Sequence, residues 1–148
     1  MDTIVVGYDD SAGARSALAW AAQYADHAGG ELVVVYVASS IAEWELAAAQ
    51  VNPDPIRHEV QRLLKDEWTA SLRRNGVPYR TRLLSGRVAE QLMRAAREEQ
   101  ATLIVIGMTA RSTLSELVRE STQHRLLHHA ARPVVAVPAG WSSSPSNP

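Results

Sequence analysis

The stretch from Ala101 to Pro138 contains the side chains and spacings with the clearest chemical potential in this sequence. An apolar run from Thr102 to Ile106 is followed by Gly107, a polar segment and a helix that we expect to open near Ser121. In an open α/β sheet, ligands lie beyond the carboxyl ends of the strands, where loops lead into helix N-termini with free N–H groups. The sequence therefore places its candidate ligand site in this stretch.

Two other groups of side chains have spacings that suit a metal ion. His124 and His128 are four residues apart, a spacing that can hold zinc on one helix face, but a third ligand is not evident. With His129 they better fit a solvated helix end that favours cations. Asp9 and Asp10 are candidates for Mg²⁺, but neighbours in a strand usually point apart. We therefore predict no metal site.

The sequence lacks the motifs of the common catalytic sites. It contains no Walker A sequence, no GxGxxG and no GxSxG, and no nucleophile stands beside an evident base. We therefore predict no catalytic residues and favour a role other than that of an enzyme.

Composition and charge narrow the class of protein. The chain has 148 residues, 46% of them hydrophobic, which is enough for the core of one domain. The net charge of −1 gives no general attraction to nucleic acid or to an anionic membrane, and the lack of cysteine excludes disulfides and thiolate catalysis. The apolar run from Leu32 to Ala38 is too short to span a bilayer, and the N-terminus does not resemble a signal peptide. We expect a cytoplasmic protein without nucleic-acid or membrane partners.

The first part of the chain predicts a βαβ unit. Thr3 to Tyr8 is a β-branched apolar run typical of a strand buried on both faces. Asp10 and Ser11 are good N-caps for an alanine-rich helix that stops at Gly29. A second buried strand, Glu31 to Val37, completes a right-handed crossover.

The middle of the chain is less regular. The insertion from Ser39 to Pro55 fits either a loop or a short helix, with a capping-box pattern from Ser40 to Glu43. Apolar residues from Ile56 to Leu72 recur at helical spacing and predict one long helix. Pro78 to Leu84 alternates apolar and basic residues, so we place this strand at an edge of the sheet.

The last part completes a five-stranded α/β fold. A third crossover helix covers Val88 to Ala96, and the final strand is Pro133 to Pro138. The whole pattern is β-α-β-α-β-α-β-α-β, which predicts an open parallel sheet with helices on both faces. We assign residues 1–139 to this domain and residues 140–148, rich in serine and proline, to a disordered tail.

The chain from Thr3 to Pro138 resembles the universal stress protein family. The resemblance rests on IVVGYDDS, ELVVVYV, VAEQLMRAA after Gly86, ATLIVIGMTARSTLSEL and HAARPVVAVP. It implies a Rossmann-like sheet of the adenine nucleotide alpha hydrolase-like type with strand order 3-2-1-4-5. It also implies a role in stress response and a homodimer joined through the fifth strand.

The resemblance also implies an ATP phosphate loop, in which glycines stand at three positions before a serine or threonine. Gly107 and Ser121 match the first and last positions, whereas Ala110 and Glu120 replace the other two glycines. Glycine suits such loops because it adopts positive φ and lets N–H groups surround a phosphate. Ala110 costs about 1–2 kcal/mol at a left-handed position. Each close contact of the Glu120 carboxylate with a phosphate costs about 1 kcal/mol in water-like surroundings and more when partly desolvated. We expect weak or lost ATP binding.

An alternative for the phosphate loop stays open. Arg111 and Arg119 could fold over a polyphosphate, and Glu120 could hold it indirectly through Mg²⁺. ATP or AMP with Mg²⁺ is therefore retained as a candidate ligand.

At the other end of the site, the resemblance implies that Asp9 and Val37 contact a nucleoside. A nucleoside, AMP or another small ligand thus remains a candidate even without a phosphate loop. From the residues alone, Asp9 caps the turn that follows it, and Ser121 caps its helix.

The strand from Pro133 to Pro138 is wholly apolar between its prolines and ends the sheet. An exposed edge of this kind invites pairing with a second copy, so we predict a homodimer through this strand. The alternative is that the tail and Trp141 cover the edge.

Three candidate functions follow. We favour a non-catalytic, dimeric binding or regulatory protein of stress response with a degraded ATP loop. The alternative is an ATP-dependent switch, with slow hydrolysis in one version, and a third candidate is an enzyme on a related nucleotide-binding fold.

Overall fold

The computed structural model describes the backbone of residues 1–108 and 114–143 and the side chains of residues 1–108 and 122–143. It has a five-stranded parallel sheet in the order β3-β2-β1-β4-β5, which confirms the strand order that the family resemblance implies. The strands are β1 (Thr3–Gly7), β2 (Glu31–Ser39), β3 (Tyr79–Gly86), β4 (Leu103–Gly107) and β5 (Val134–Val137). The helices are α1 (Ala12–Ala28), α2 (Ser40–Ala48), α3 (Asp54–Arg62), α4 (Ala70–Arg74), α5 (Val88–Glu98) and α6 (Leu114–His129), with a π-helical segment at Leu63–Glu67.

The central strands are buried on both faces, which explains their unbroken apolar runs. Val5 of β1 lies opposite Val33 of β2 and Ile104 of β4. The cluster on one face includes Ala17 of α1, and the cluster on the other face includes Leu92 of α5. The sheet therefore separates two cores, and helices cover both.

Helix α1 begins and ends as the sequence predicts. The Ser11 side chain accepts a hydrogen bond from the backbone N–H of Ala14, and Gly29 ends the helix with φ of 69°. These are the typical serine N-cap and left-handed glycine C-cap.

The insertion after β2 is helical rather than a loop. It forms α2, whose N-cap is Ser39 and not the Ser40 of the predicted capping box. The long helix predicted from Ile56 to Leu72 is wrong as one element, because the π-helical segment interrupts it. The Thr69 hydroxyl donates to the carbonyls of Leu64 and Lys65, at 3.0 and 2.9 Å. A side chain that bonds these carbonyls competes with the regular helical ladder.

Helix α6 also differs from the prediction, because it begins at Leu114 and not near Ser121. The segment from Leu114 to Glu120, LSELVRE, contains mostly good helix formers and no proline or glycine. Ser121 therefore lies inside the helix and does not cap it.

Strand β3 lies at the edge, as predicted, and charged side chains surround it. Arg80 pairs with Glu31 at 3.1 Å and with Glu99 at 2.7 Å. Arg82 pairs with Glu98 at 2.7 Å and with Glu99 at 3.3 Å. Charges of this kind discourage the pairing of an edge with another strand.

The beginning of the predicted tail lies against the domain. The Gly140 N–H donates to the Ser16 hydroxyl at 3.0 Å, and Trp141 packs against the core on the α1 face. Residues 144–148 lie outside the described residues, so the disorder of the tail stays a prediction. No helix in the described part of the chain is long and apolar enough to span a bilayer.

Candidate ligand cleft

A cleft of about 800 Å³ opens at the carboxyl ends of the strands. Gly7 of β1, Val37 of β2 and Gly107 of β4 line its floor, and α2 and α3 line its opposite wall. This position agrees with the rule that ligands of open α/β sheets lie beyond the carboxyl ends of the strands. The volume falls in the range of small-molecule sites.

Asp9 lies in the cleft and also orders the turn into α1. Its carboxylate accepts hydrogen bonds from the Ser11 N–H at 3.1 Å and from the Ser11 hydroxyl at 2.6 Å. Asp10 instead accepts from the Tyr8 hydroxyl at 3.0 Å and from Arg15 at 3.3 Å. The two carboxylates thus have different partners, as expected of neighbours that point apart. Asp9 therefore fills the capping role read from the sequence while it faces the ligand space.

Two tyrosines beside Asp9 also line the cleft. Burial, followed by the hydrogen bond to Asp10, raises the pKa of Tyr8 above its ordinary value. Burial, followed by the charge of Asp9, raises the pKa of Tyr36. Trp68 packs against both rings, with centroid distances of 5.4 and 5.8 Å. Both phenols therefore stay protonated at neutral pH within a packed aromatic wall, a feature that the sequence analysis missed.

Val37 lies in the part of β2 that lines the cleft. It is half-buried and packs against the core cluster that contains Leu92. Its partner across the sheet is Leu84 of β3. The side chain can therefore offer an apolar surface to a ligand without leaving the core.

Gly107 lies in the cleft, but packing alone explains why it is glycine. A Cβ at this position would lie 2.6 Å from the Ala14 nitrogen and nearer still to the Gly13 carbonyl group. The start of α1 therefore rests directly on the backbone at the end of β4. Since this contact needs a glycine with or without a phosphate, Gly107 is weak support for a phosphate loop.

The predicted phosphate end lies only partly within the described residues. Ala110 and Arg111 lie outside them, and the side chains of Glu120 and Ser121 are not described. The backbone of residues 120 and 121 lies beyond the first turn of α6. From the fifth residue of a helix onward, each N–H bonds the carbonyl four residues earlier. The N–H groups of Glu120 and Ser121 are therefore used within α6. Thr122, the next residue, lines the cleft.

The wall opposite the strands comes from the insertion, whose role the sequence left unassigned. We call α2 and α3 the roof. Arg57 of α3 pairs with Glu43 of α2 at 2.5 Å and links the two helices. Hydrogen bonds from Arg57, and then from Ser85, lower the pKa of Glu43 below its ordinary value. Ile56 and Val60 of α3 are four residues apart among polar residues, and this spacing is the sequence signal that could have indicated this wall.

The histidines of α6 lie close together but do not form a larger cluster. The rings of His124 and His128 have centroids 4.3 Å apart, as their spacing indicates. Among residues 1–108 and the other described residues, no group of three or more histidine, aspartate, glutamate or cysteine side chains could hold a metal.

Comparison with known proteins identifies the fold family. The model of the universal stress protein family matches residues 1–138, which include all five strands. This chain belongs to the universal stress protein family. The prediction made from the sequence motifs is therefore confirmed.

Among universal stress proteins, one from Thermus aquaticus is 29% identical over 91% of this chain and 97% of its own length. One from Mycolicibacterium smegmatis is 26% identical over 90% of this chain, which spans only 47% of that relative. A crystal structure of a family protein from Burkholderia pseudomallei is 36% identical, with a TM-score of 0.70 over 93% of this chain and 96% of the other.

Three universal stress proteins of the same fold have been solved with nucleotides. One in complex with cAMP is 21% identical, with a TM-score of 0.71 over 94% of this chain and 98% of the other. One from Archaeoglobus fulgidus with dAMP is 22% identical, with a TM-score of 0.65 over 93% and 97%. One from Arabidopsis thaliana with AMP is 14% identical, with a TM-score of 0.66 over 99% and 98%.

Proposed function

We propose that this universal stress protein is a non-catalytic, dimeric regulator of the cytoplasmic stress response that binds a nucleoside or nucleoside monophosphate and binds ATP weakly or not at all. The observation that carries the proposal is a contrast between two parts of the site. A cleft is formed at Asp9 and Val37, whereas at the expected phosphate position the N–H groups of residues 120 and 121 are hydrogen-bonded within helix α6.

The nucleoside end has the features that a base and a sugar require. Val37 supplies an apolar surface, and the Asp9 carboxylate is an acceptor for ribose hydroxyls. The protonated Tyr36 hydroxyl adds a donor to the same wall. The family structures with AMP, cAMP and dAMP support a ligand that carries one phosphate.

The phosphate end has lost what a triphosphate requires. Two loop positions lack glycine, and Glu120 adds a negative charge. Since 1.4 kcal/mol is about a tenfold change in affinity, the combined departures weaken ATP binding by about one to three orders of magnitude.

Calorimetric titration with adenosine and with AMP tests the nucleoside part of the proposal. We expect both to bind, with one site per chain. Prolonged incubation with Mg-ATP should yield no ADP, and measurable turnover would favour the alternative of a hydrolysing switch, with Arg111 and Arg119 on the phosphates.

The dimer part of the proposal rests on the contrast between the two sheet edges. Ion pairs flank β3, whereas the final strand bears only Val134, Val135, Ala136 and Val137. Light scattering after size-exclusion chromatography should show a dimer at micromolar concentration.

A proline substitution tests the dimer edge itself. The carbonyls of Pro133 and Val137 bond to β4, so the alternate residue Ala136 directs its N–H outward in a parallel strand. Ala136→Pro removes that outward N–H and should yield a folded monomer. A wild-type protein that is monomeric would contradict the proposal.

A further inference from the structure

Trp68 supports the aromatic wall of the cleft from behind. Among the described residues it is not one of those that line the cleft, yet its ring packs against Tyr8 and Tyr36, with centroid distances of 5.4 and 5.8 Å. Both tyrosines line the cleft, and Trp68 is half-buried against the core cluster that contains Tyr8. Because closely packed rings fix one another, the position of Trp68 determines where the two tyrosine rings lie.

The π-helical segment at Leu63–Glu67 gives Trp68 this position. The Trp68 N–H donates to the Leu63 carbonyl at 2.8 Å, five residues back, whereas an α-helix would use the Leu64 carbonyl. The extra residue in this turn changes the direction in which the Trp68 side chain faces. The groups that hold the π-helical segment therefore also hold Trp68 against the tyrosines.

Arg73 of α4 holds the π-helical segment from outside the cleft. Its guanidinium donates to the Lys65 carbonyl at 2.6 Å and also to the Asp66 carbonyl. The same group donates to the Tyr79 hydroxyl of β3 at 2.6 Å. A planar guanidinium makes several such bonds at once in a fixed geometry, which an ammonium does not. Arg73 thus ties two carbonyls of the segment to a side chain of the sheet.

Thr69 belongs to the same network. Its side chain is fully buried, donates to the carbonyls of Leu64 and Lys65, and accepts a hydrogen bond from Arg73 at 3.2 Å. A buried hydroxyl is costly unless it is hydrogen-bonded, so this arrangement is strongly favoured over one without partners. Since β3 pairs with β2, which carries Tyr36, the network links the π-helical segment to the sheet that bears the cleft wall.

We propose that Arg73 is a positioning residue for the cleft: its guanidinium holds the π-helical segment that lays Trp68 against the two tyrosines. An exposed arginine outside the cleft thus controls the shape of the wall that a nucleoside meets. The effect on ligand binding rests on the proposed function, whereas the effect on Trp68 does not.

Fluorescence of Trp68 tests the first step. Its emission is the difference between a protein with Trp68 and the same protein with Trp68→Phe. Arg73→Met keeps an aliphatic stem and removes the hydrogen bonds, so we expect Trp68 emission at longer wavelength as the indole leaves the tyrosines for water. Arg74→Met is the matched control, because Arg74 is the next exposed residue of α4 and makes no hydrogen bond to the π-helical segment. Unchanged emission in Arg73→Met, or an equal shift in Arg74→Met, would overturn the proposal.

Calorimetric titration with adenosine tests the second step. Arg73→Met should weaken adenosine binding about threefold, as expected of a change that acts through a packed neighbour, and Arg74→Met should not. A shifted emission with unchanged affinity would overturn the link to the ligand. If adenosine does not bind the wild-type protein, the proposed function fails, and the emission alone then decides whether Arg73 positions Trp68.

Two further variants separate positioning from a loss of stability. Thr69→Val keeps a buried side chain of similar volume without the hydroxyl and should shift Trp68 emission in the same direction as Arg73→Met. Arg73→Lys keeps the charge without the planar fork, so a smaller shift should remain, and it replaces Arg73→Met if that variant does not fold. Wild-type emission in either variant would overturn the proposal. Circular dichroism confirms that each variant keeps its helices.

Discussion

The two ends of the cleft differ in what the polypeptide has kept. At the proposed nucleoside end, Asp9 and Val37 lie near the carboxyl ends of neighbouring strands, and residues of the roof line the same cleft. At the phosphate end, Glu120 replaces a glycine, and the backbone of residues 120 and 121 belongs to the interior of α6. The cleft at the strand ends is therefore formed, while the sequence at the proposed phosphate end departs from the family pattern at Ala110 and Glu120.

The difference has a structural origin. Strands β1 and β2 are fixed by burial on both faces, so the residues at their ends are placed by the core itself. Loops in general tolerate substitution better than the elements that they connect. Gly107, at the end of β4, is also placed by the core, since its close contact with Gly13 is part of the core packing.

The largest effect is expected for Gly107→Ala, which tests whether this glycine serves packing. The new Cβ would overlap the start of α1, so we expect destabilisation by about 3 kcal/mol in urea unfolding. Gly76→Ala is the control, because Gly76 has open space around it but a φ of 68°, and should cost about 1 kcal/mol. If Gly107→Ala were as stable as the wild type, packing would not explain the glycine, and Gly107 would again be a candidate glycine of the phosphate loop.

The next largest effect is expected at Glu120. Glu120→Gln removes the charge and keeps a side chain suited to a helix, so Mg-ATP should bind about tenfold more tightly, with adenosine unchanged. Isothermal calorimetry measures both ligands. Glu120→Gly, which restores the family residue, should also strengthen phosphate binding, but it costs α6 about 1 kcal/mol in helix propensity. An unchanged ATP affinity in both variants would show that Glu120 does not weaken ATP binding.

A smaller effect is expected at the nucleoside end. Asp9→Ala should weaken adenosine binding about threefold to tenfold, through the loss of one hydrogen-bond acceptor. Because Asp9 also bonds Ser11, which lines the same cleft, the comparison variant is Ser11→Ala, which should cost about 1 kcal/mol of stability as a lost N-cap and weaken adenosine binding less than Asp9→Ala does. Equal losses of affinity in the two variants would mean that Asp9 only shapes the turn.

The smallest effect concerns pH at the roof. The pKa of Glu43 is lowered in the folded state, so its ion pair with Arg57 contributes fully above the unfolded value of about 4.3 and is lost as the pH falls through the lower folded value. An NMR titration of the Glu43 carboxyl carbon should show this pKa, and Arg57→Ala should move it upward. A pKa that does not respond to Arg57→Ala would show that the pair does not link α2 to α3.

Some elements of the fold could be predicted from the sequence, and others could not. Strands such as Thr3–Gly7 were predictable because burial on both faces leaves a long apolar run. The predicted start of α6 was wrong because Ser121 resembles an N-cap residue. The helix-forming residues before it extend the helix back to Leu114. The π-helical segment, in which the Trp68 N–H donates to the Leu63 carbonyl, has no signature in the sequence.

The candidate site was predictable only where a strand end fixed it. Asp9, Val37 and Gly107 lie in the cleft because each is placed by the sheet. Glu43 and Arg57 are 14 residues apart, and only the folding of the insertion brings them to the cleft wall. The structure is needed to show that residues of this kind line the cleft.

The central claim is that the cleft binds nucleosides better than triphosphates, and one titration tests it directly. Calorimetry on the wild-type protein with adenosine and with Mg-ATP, in the same buffer, gives the ratio of the two dissociation constants. We predict that adenosine binds at least as tightly as Mg-ATP, because the triphosphate gains nothing at the phosphate end. Micromolar binding of Mg-ATP together with at least tenfold weaker adenosine binding would contradict the account and would indicate an ATP-dependent switch.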